Sequence, residues 1–155
     1  MKLFSFLLKF LCKPADPFHL QRFIDAQQHT YQYALQEIRD GRKEGHWIWY
    51  IFPQMKGLGQ SHMSENYGIV SLDEARAYLA HLILKLRLIE ITQTLLQHKD
   101  KSAFEIFGTI DAIKVRSCMT LFDIVEPNSI FADTLAAFYN NERDELTLNK
   151  LKDQL

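Results

Sequence analysis

Leu20, Phe23, Ile24, Gln27, Tyr31, Ala34, Leu35 and Ile38 recur at three- and four-residue intervals, the period of one helix face. Asp16 before Pro17 offers an N-cap and a first-turn proline, and Gly41 offers the stop. The spacing therefore predicts one helix of about six turns. His46 to Phe52 is a run of aromatic and branched residues that suits a buried strand or a short buried helix; periodicity does not separate them. Pro53 ends the run. Residues 54–70 carry glycine and serine punctuation and read mainly as loop. Ser71 and Glu74 form a capping box ahead of Ala75, Tyr78, Leu79, Leu82, Leu86 and Ile89, so a helix is expected to about Gln97. Ser102 and Glu105 repeat the box over a short piece closed by Gly108. Asp111 opens a further helix, with Ile113, Cys118, Met119, Leu121, Phe122 and Val125 inward, which Pro127 ends. Asn128 or Ser129 opens the next, through Phe131, Leu135, Phe138 and Tyr139, and Asn140-Asn141 can take the left-handed turn that closes it. Thr147 to Leu155 reads as a last short helix. Five to seven helices with at most one strand pair make an all-α fold, a single compact multi-helix domain with a long central loop. The helical domain is placed at residues 16–155, after an apolar, basic tail at residues 1–15.

Composition narrows the class. Eighteen basic and 19 acidic residues in 155 leave a formal charge of −1. That excludes nucleic-acid binding through bulk charge, which needs concentrated positive charge. Two cysteines, Cys12 and Cys118, form no disulfide framework or metal clip, and a reducing, cytoplasmic setting follows. The apolar run Leu3 to Cys12 is shorter than the roughly 20 residues a membrane span needs. Lys9 interrupts it, no small-residue cleavage site follows, and Phe10-Leu11 do not fit a lipoprotein box. The tail either packs on the domain or makes weak contact with a membrane surface through residues 1–13, with Lys2, Lys9 and Lys13 near headgroups. The second reading makes the protein peripheral to the membrane.

Candidate chemistry concentrates in residues 45–69, "GHWIWYIFPQMKGLGQSHMSENYGI". Gly57-Leu-Gly59 lacks the third glycine of a dinucleotide fingerprint and the lysine of a nucleoside-triphosphate loop. Its glycines either let backbone N–H groups approach a ligand or simply turn the chain. Trp47 and Trp49 share a face in a strand and separate in a helix; they are stacking platforms if open and core if buried. Histidine is the side chain suited to acid–base work near neutral pH, which makes His46 the candidate catalytic residue. Ser61 and Ser64 lack a nucleophile elbow, and Cys118 lies in an apolar pattern that makes it inert. The six histidines never take the His-Glu-x-x-His spacing and no calcium loop is present, so no metal site and no cofactor is implied. Lys114 sits near a helix start, against the dipole, and is compensated by a polar partner or an anionic ligand.

His46-Trp47-x-Trp49, Phe52-Pro53-Gln54 and Gly57-Leu58-Gly59-x-Ser61, with "SENYGIVSLDEARAYLAH", "DAIKVRSCMTLFDIV" and "RDELTLNKL", resemble domain-of-unknown-function family 1810 over roughly Asp16 to Leu151. The resemblance implies a mainly helical fold and no assigned activity. Where members carry His-Pro-x-Leu-Gly, this chain has His81-Leu82-Ile83-Leu84-Lys85, which implies a more continuous helix. A fainter likeness around Arg22 to Tyr31 is to helical proteins that process ADP-ribose and NAD.

Three functions follow. The first is binding of a small polar or nucleotide-like ligand through residues 46–67, with Gln27, His46, Trp47, Trp49, Gln54, Gly57, Gly59, Ser61, Ser64, Tyr67 and Lys114 as the ligand-binding set. The second is a hydrolase of ADP-ribose- or NAD-type substrates on the same pocket, with His46, Glu44 or Glu65 as acid–base and Gln27 orienting substrate. The third is a non-catalytic protein-interaction domain.

Overall fold

The computed structural model describes residues 14–155. The two readings of residues 1–13, packing on the domain or contact with a membrane, lie outside the described residues. Nine α-helices follow one another: α1 (Gln21–Gln27), α2 (Tyr31–Arg39), α3 (Ile48–Ile51), α4 (His62–Tyr67), α5 (Leu72–Ala80), α6 (Leu82–Leu96), α7 (Ala103–Val125), α8 (Ile130–Tyr139) and α9 (Glu145–Leu151), with a 3₁₀ turn at Lys152–Gln154. The described residues contain no strand; a single parallel bridge joins Met55 to Ile69. The all-α expectation holds, and the count exceeds five to seven because two helices read as single are divided and the expected loop holds another, although the pieces expected on either side of Gly108 are joined in α7.

The first division lies between α1 and α2. Asp16 accepts from the Leu20 and Gln21 amides at 2.7 and 3.0 Å but is not the N-cap: the helix starts at Gln21 with Leu20 at the cap position, one turn later than Pro17. No glycine or proline marks the break at residues 28–30. Gln27 is buried there and donates to the Tyr50 carbonyl and the Tyr78 hydroxyl, so tertiary contacts override a continuous local pattern. The second division is at His81, whose backbone is extended (φ −80°, ψ 115°). The loss of Pro and Gly does not yield a continuous helix. The break re-aims α6 so that Leu84, Leu88, Ile91 and Leu95 turn inward. Leu82 and Leu86, expected on the core face, stand 70% and 58% exposed. His46 to Phe52 resolves to the short helix α3, and the expected loop contains α4, capped by Ser61.

Local signals elsewhere match the structure. Ser102 and Glu105 make both bonds of a capping box. Ser71 accepts from the Glu74 amide, while the Glu74 side chain reaches the Val70 amide instead. Asn140 and Asn141 take left-handed backbone, and the Asn141 amide bonds to the Leu135 carbonyl. In α7, Gly108 adopts φ 77°, ψ 172° and bends the helix into two arms.

α7 is the central element. It packs against α8, α9, α5 and α3, while α6 lies against α2, α8 and α5. An aromatic column links four helices through the core. Phe23 meets Tyr78 edge-on at 5.1 Å, Tyr78 meets Phe122 at 5.3 Å, and Phe122 meets Phe131 at 5.6 Å. Arg22 ties the loop before α1 to the segment before α5. Its guanidinium donates to the carbonyls of Phe18, His19, Asn66 and Gly68 and pairs with Glu74, itself 1% exposed. Cys118 is free and buried, and burial pushes its thiol pKa up, so it is a packing residue.

Candidate functional site

Two segments some fifty residues apart in sequence enclose a cavity of about 330 Å³. Gln54, Leu58, Gly59, Gln60, Ser61 and Ser64 form one wall, and Ile110, Ile113, Lys114 and Ser117 of α7 form the other. The first wall is held in place by the bridge at Met55–Ile69, where Lys56 N donates to Ile69 O and Ile69 N to Gln54 O. The two glycines of the 54–64 loop do different jobs, and Gly59 lines the cavity while Gly57 does not. Gly57 has φ +89°, a left-handed turn that suits glycine. Gly59 needs the absence of a side chain, because a Cβ there would stand 2.3 Å from Ser64 Oγ. Ser61 Oγ accepts from the Ser64 amide at 3.1 Å and donates to Ser64 Oγ at 3.0 Å.

On the α7 side, Lys114 Nζ sits 3.5 Å from Asp111 and 5.0 Å from the centre of the Trp49 ring. Asp111 has a closer partner in Lys43, at 2.7 Å. One carboxylate thus serves two ammonium groups, and Lys114, with three donors, holds the longer contact. Gln54 is 9% exposed, and its side-chain amide has no hydrogen-bond partner among the described residues. Ser117 spends its hydroxyl on the Ile113 carbonyl. Ile110 and Ile113, 69% and 51% exposed, make an apolar lip. Ile113 was expected inward; the bend at Gly108 turns this stretch of α7 toward the loop instead.

The ligand-binding set from the sequence divides. Gln54, Gly59, Ser61, Ser64 and Lys114 line the cavity together. Trp49 lies beneath Lys114, with its Nε1 buried and without a partner among the described residues. Gln27, Trp47 and Tyr67 belong to other surroundings. Gln27 is core, and its carbonyl oxygen accepts from Arg87 at 3.3 Å. Trp47 is 1% exposed. Tyr67 meets Tyr50 edge-on and Phe23 at a tilt. Trp47, at the cap position before α3, and Trp49, within it, point to different surroundings. His46, Glu44 and Glu65 are exposed and do not line the cavity. Leu58, Gln60, Ile110, Ile113 and Ser117 are lining residues not singled out in the sequence. The usable signal was the i, i+3, i+4, i+7 spacing of Ile110, Ile113, Lys114 and Ser117, which places them on one helix face.

Glu37 organises the approach to α3. Its carboxylate accepts from the amides of Glu44 and Gly45 and from the Trp47 indole, at 2.8 to 2.9 Å. Burial works to raise its pKa, but these bonds, with Lys43 nearby, outweigh burial and hold it below its ordinary value. A lowered native pKa contributes stability that is present above the unfolded value and lost as pH falls through the native one. Glu37→Gln should therefore cost about 1–3 kcal/mol at neutral pH. The penalty should shrink on going below the ordinary carboxylate range. Urea midpoints of both proteins at neutral and acidic pH check this, and a penalty that ignores pH contradicts it.

Among the described residues no helix is long and apolar enough to cross a membrane, and no group of three His, Cys, Asp or Glu is placed to hold a metal ion. The model of a family described as "Protein of unknown function (DUF1810)" matches residues 17–151. The crystal structure of the conserved hypothetical protein Rv1873 from Mycobacterium tuberculosis is similar, with 45% identity and a TM-score of 0.86. The likeness covers 88% of this chain and 99% of that one. No curated protein matches the chain.

Proposed function

Because the chain belongs to the DUF1810 family, whose description assigns no activity, we propose from the cavity itself that the protein binds a small polar, nucleotide-like ligand between the 54–64 loop and α7. The observation that carries this is the convergence of unspent donors at one cavity. Among the described residues the Gln54 amide has no partner, and the Lys114 ammonium has the shared Asp111 carboxylate as its one ion-pair partner, with the Trp49 ring beneath it. Groups of that kind, half-sheltered by Leu58, Ile110 and Ile113, favour an acceptor-rich ligand such as a phosphate or carboxylate with a flat or apolar body.

Hydrolysis of ADP-ribose-type substrates is less well supported, since it calls for an acid–base at the cavity. His46, Glu44 and Glu65 do not line it, and Asp111 is engaged by two lysines.

The test is a thermal-shift titration with nucleotides, NAD, ADP-ribose and inorganic phosphate. At least one organic anion should raise the melting temperature, and Lys114→Met and Gln54→Leu should each weaken it about tenfold, the scale of one charge-assisted hydrogen bond. No shift across the panel, or variants that titrate like the parent chain, refutes the reading.

A further inference from the structure

The polar groups of the cavity between the 54–64 loop and α7 are of two kinds. The Lys114 ammonium, Gln54 Nε2 and the Ser64 hydroxyl can donate, whereas Gln54 Oε1 and Ser117 Oγ are left to accept. Ser117 has already given its proton to the Ile113 carbonyl, at 3.1 Å. Ser61 gives its own to Ser64 Oγ, which leaves the Ser64 proton without an acceptor among the described residues. Gln54 is 9% exposed, and neither end of its side-chain amide has a partner among the described residues. The bare side of Gly59 faces both groups. A Cβ there would stand 3.7 Å from Gln54 Nε2 and would collide with Ser64 Oγ.

A head group that only accepts, such as phosphate, answers one kind alone. It would satisfy the donors, yet it would displace water from the Gln54 carbonyl oxygen without bringing a donor in return. Leaving a sheltered acceptor unpaired costs at least as much as one hydrogen bond gains. An N–H beside a C=O answers both ends of the Gln54 amide at once. Charge adds a second restriction. Asp111 meets Lys43 at 2.7 Å and Lys114 at 3.5 Å, so two ammonium groups share one carboxylate and one positive charge is left over. One negative charge balances it, and a second would enter a half-sheltered site unpaired. Size adds a third. At about 330 Å³ the cavity lies near the lower end of small-molecule sites, enough for one ring with its substituents and too little for a dinucleotide.

We infer, resting on the binding role proposed for this cavity, that its ligand is a singly charged carboxylic acid on one ring that also carries a lactam or carboxamide N–H beside its carbonyl. The carboxylate meets Lys114, the amide edge pairs with Gln54, and the ring lies against Leu58, Ile110 and Ile113.

The experiment is isothermal titration of the full chain with four matched probes. Orotate has one ring, one carboxylate and lactam N–H groups. Benzoate keeps the ring and the charge but has no amide edge. Uracil keeps the lactam and has no carboxylate, and inorganic phosphate only accepts. Orotate should bind, and each of the other three should bind at least about tenfold more weakly, the scale of one good hydrogen bond or more. Gln54→Leu should bring orotate down to the affinity of benzoate and leave benzoate unchanged, while Lys114→Met should weaken both acids. Equal affinity of the parent chain for orotate and benzoate, phosphate binding as tightly as orotate, or a preference for orotate that survives in Gln54→Leu overturns the inference. The comparison of probes on the parent chain decides the matter even where a variant fails to fold. Binding of any of these anions that depends on Lys114 but ignores the amide edge refutes the ligand class alone and leaves the binding role standing. Absence of binding by all four probes and by the nucleotide panel refutes both.

Discussion

Arg22→Ala should lower the unfolding free energy by about 3–5 kcal/mol, the range for removing one partner of a buried ion pair. Glu74 would keep a carboxylate that is 1% exposed, supported mainly by the Val70 amide. Four carbonyls, at Phe18, His19, Asn66 and Gly68, would lose the guanidinium at the same time, and of these His19 keeps the backbone amide of residue 22. Arg22→Lys should recover little, because an ammonium cannot reproduce the guanidinium fork toward partners on several sides. Arg22→Ala/Glu74→Gln should be less damaged than Arg22→Ala alone, since the stranded charge is gone. Urea denaturation reads all three. A midpoint for Arg22→Ala within error of the parent would show that the clamp is incidental to stability.

The second large effect is at Phe122. Truncation to alanine should cost about 3–5 kcal/mol, as for other buried phenylalanines. Phe122 is fully buried and touches aromatic rings on both sides, Tyr78 from α5 and Phe131 from α8. Its loss interrupts the column that joins α1, α5, α7 and α8. Phe122→Leu keeps most of the volume and should cost under about 1.5 kcal/mol. Phe104, on the same helix but 61% exposed, is the internal control. If Phe104→Ala and Phe122→Ala shift the midpoint equally, the column is not what binds these helices.

Legibility from sequence followed the range of the interaction. Caps depend on residues three apart, and Ser102, Glu105, Ser71, Asn140 and Asn141 all behave as their chemistry dictates. The divisions at residues 28–30 and at His81 have no local mark. The first answers to partners 23 and 51 positions from Gln27, the Tyr50 carbonyl and the Tyr78 hydroxyl. For the same reason Leu82, Leu86 and Ile113 fit a helical period yet face outward: the period fixes relative angles, and a break or bend resets the absolute direction. The cavity shows both cases. Gly59, Ser61 and Ser64 were visible as an unusual cluster, and Lys114 as a cation opposing a dipole. That they meet depends on how the loop folds against α7, which no spacing in the sequence encodes.

The bend in α7 carries a stereochemical consequence. Nothing lies within 4 Å of where a Cβ on Gly108 would stand, so the position has ample room. Yet φ 77° with ψ 172° belongs to a region that is essentially glycine-only. Handedness, and not volume, is what this site selects against. The mirror image of that backbone is ordinary extended chain, so a D-alanine would sit there at ease while L-alanine would straighten or break the helix. The direction in which Ile110, Ile113 and Lys114 face therefore hangs on one achiral residue.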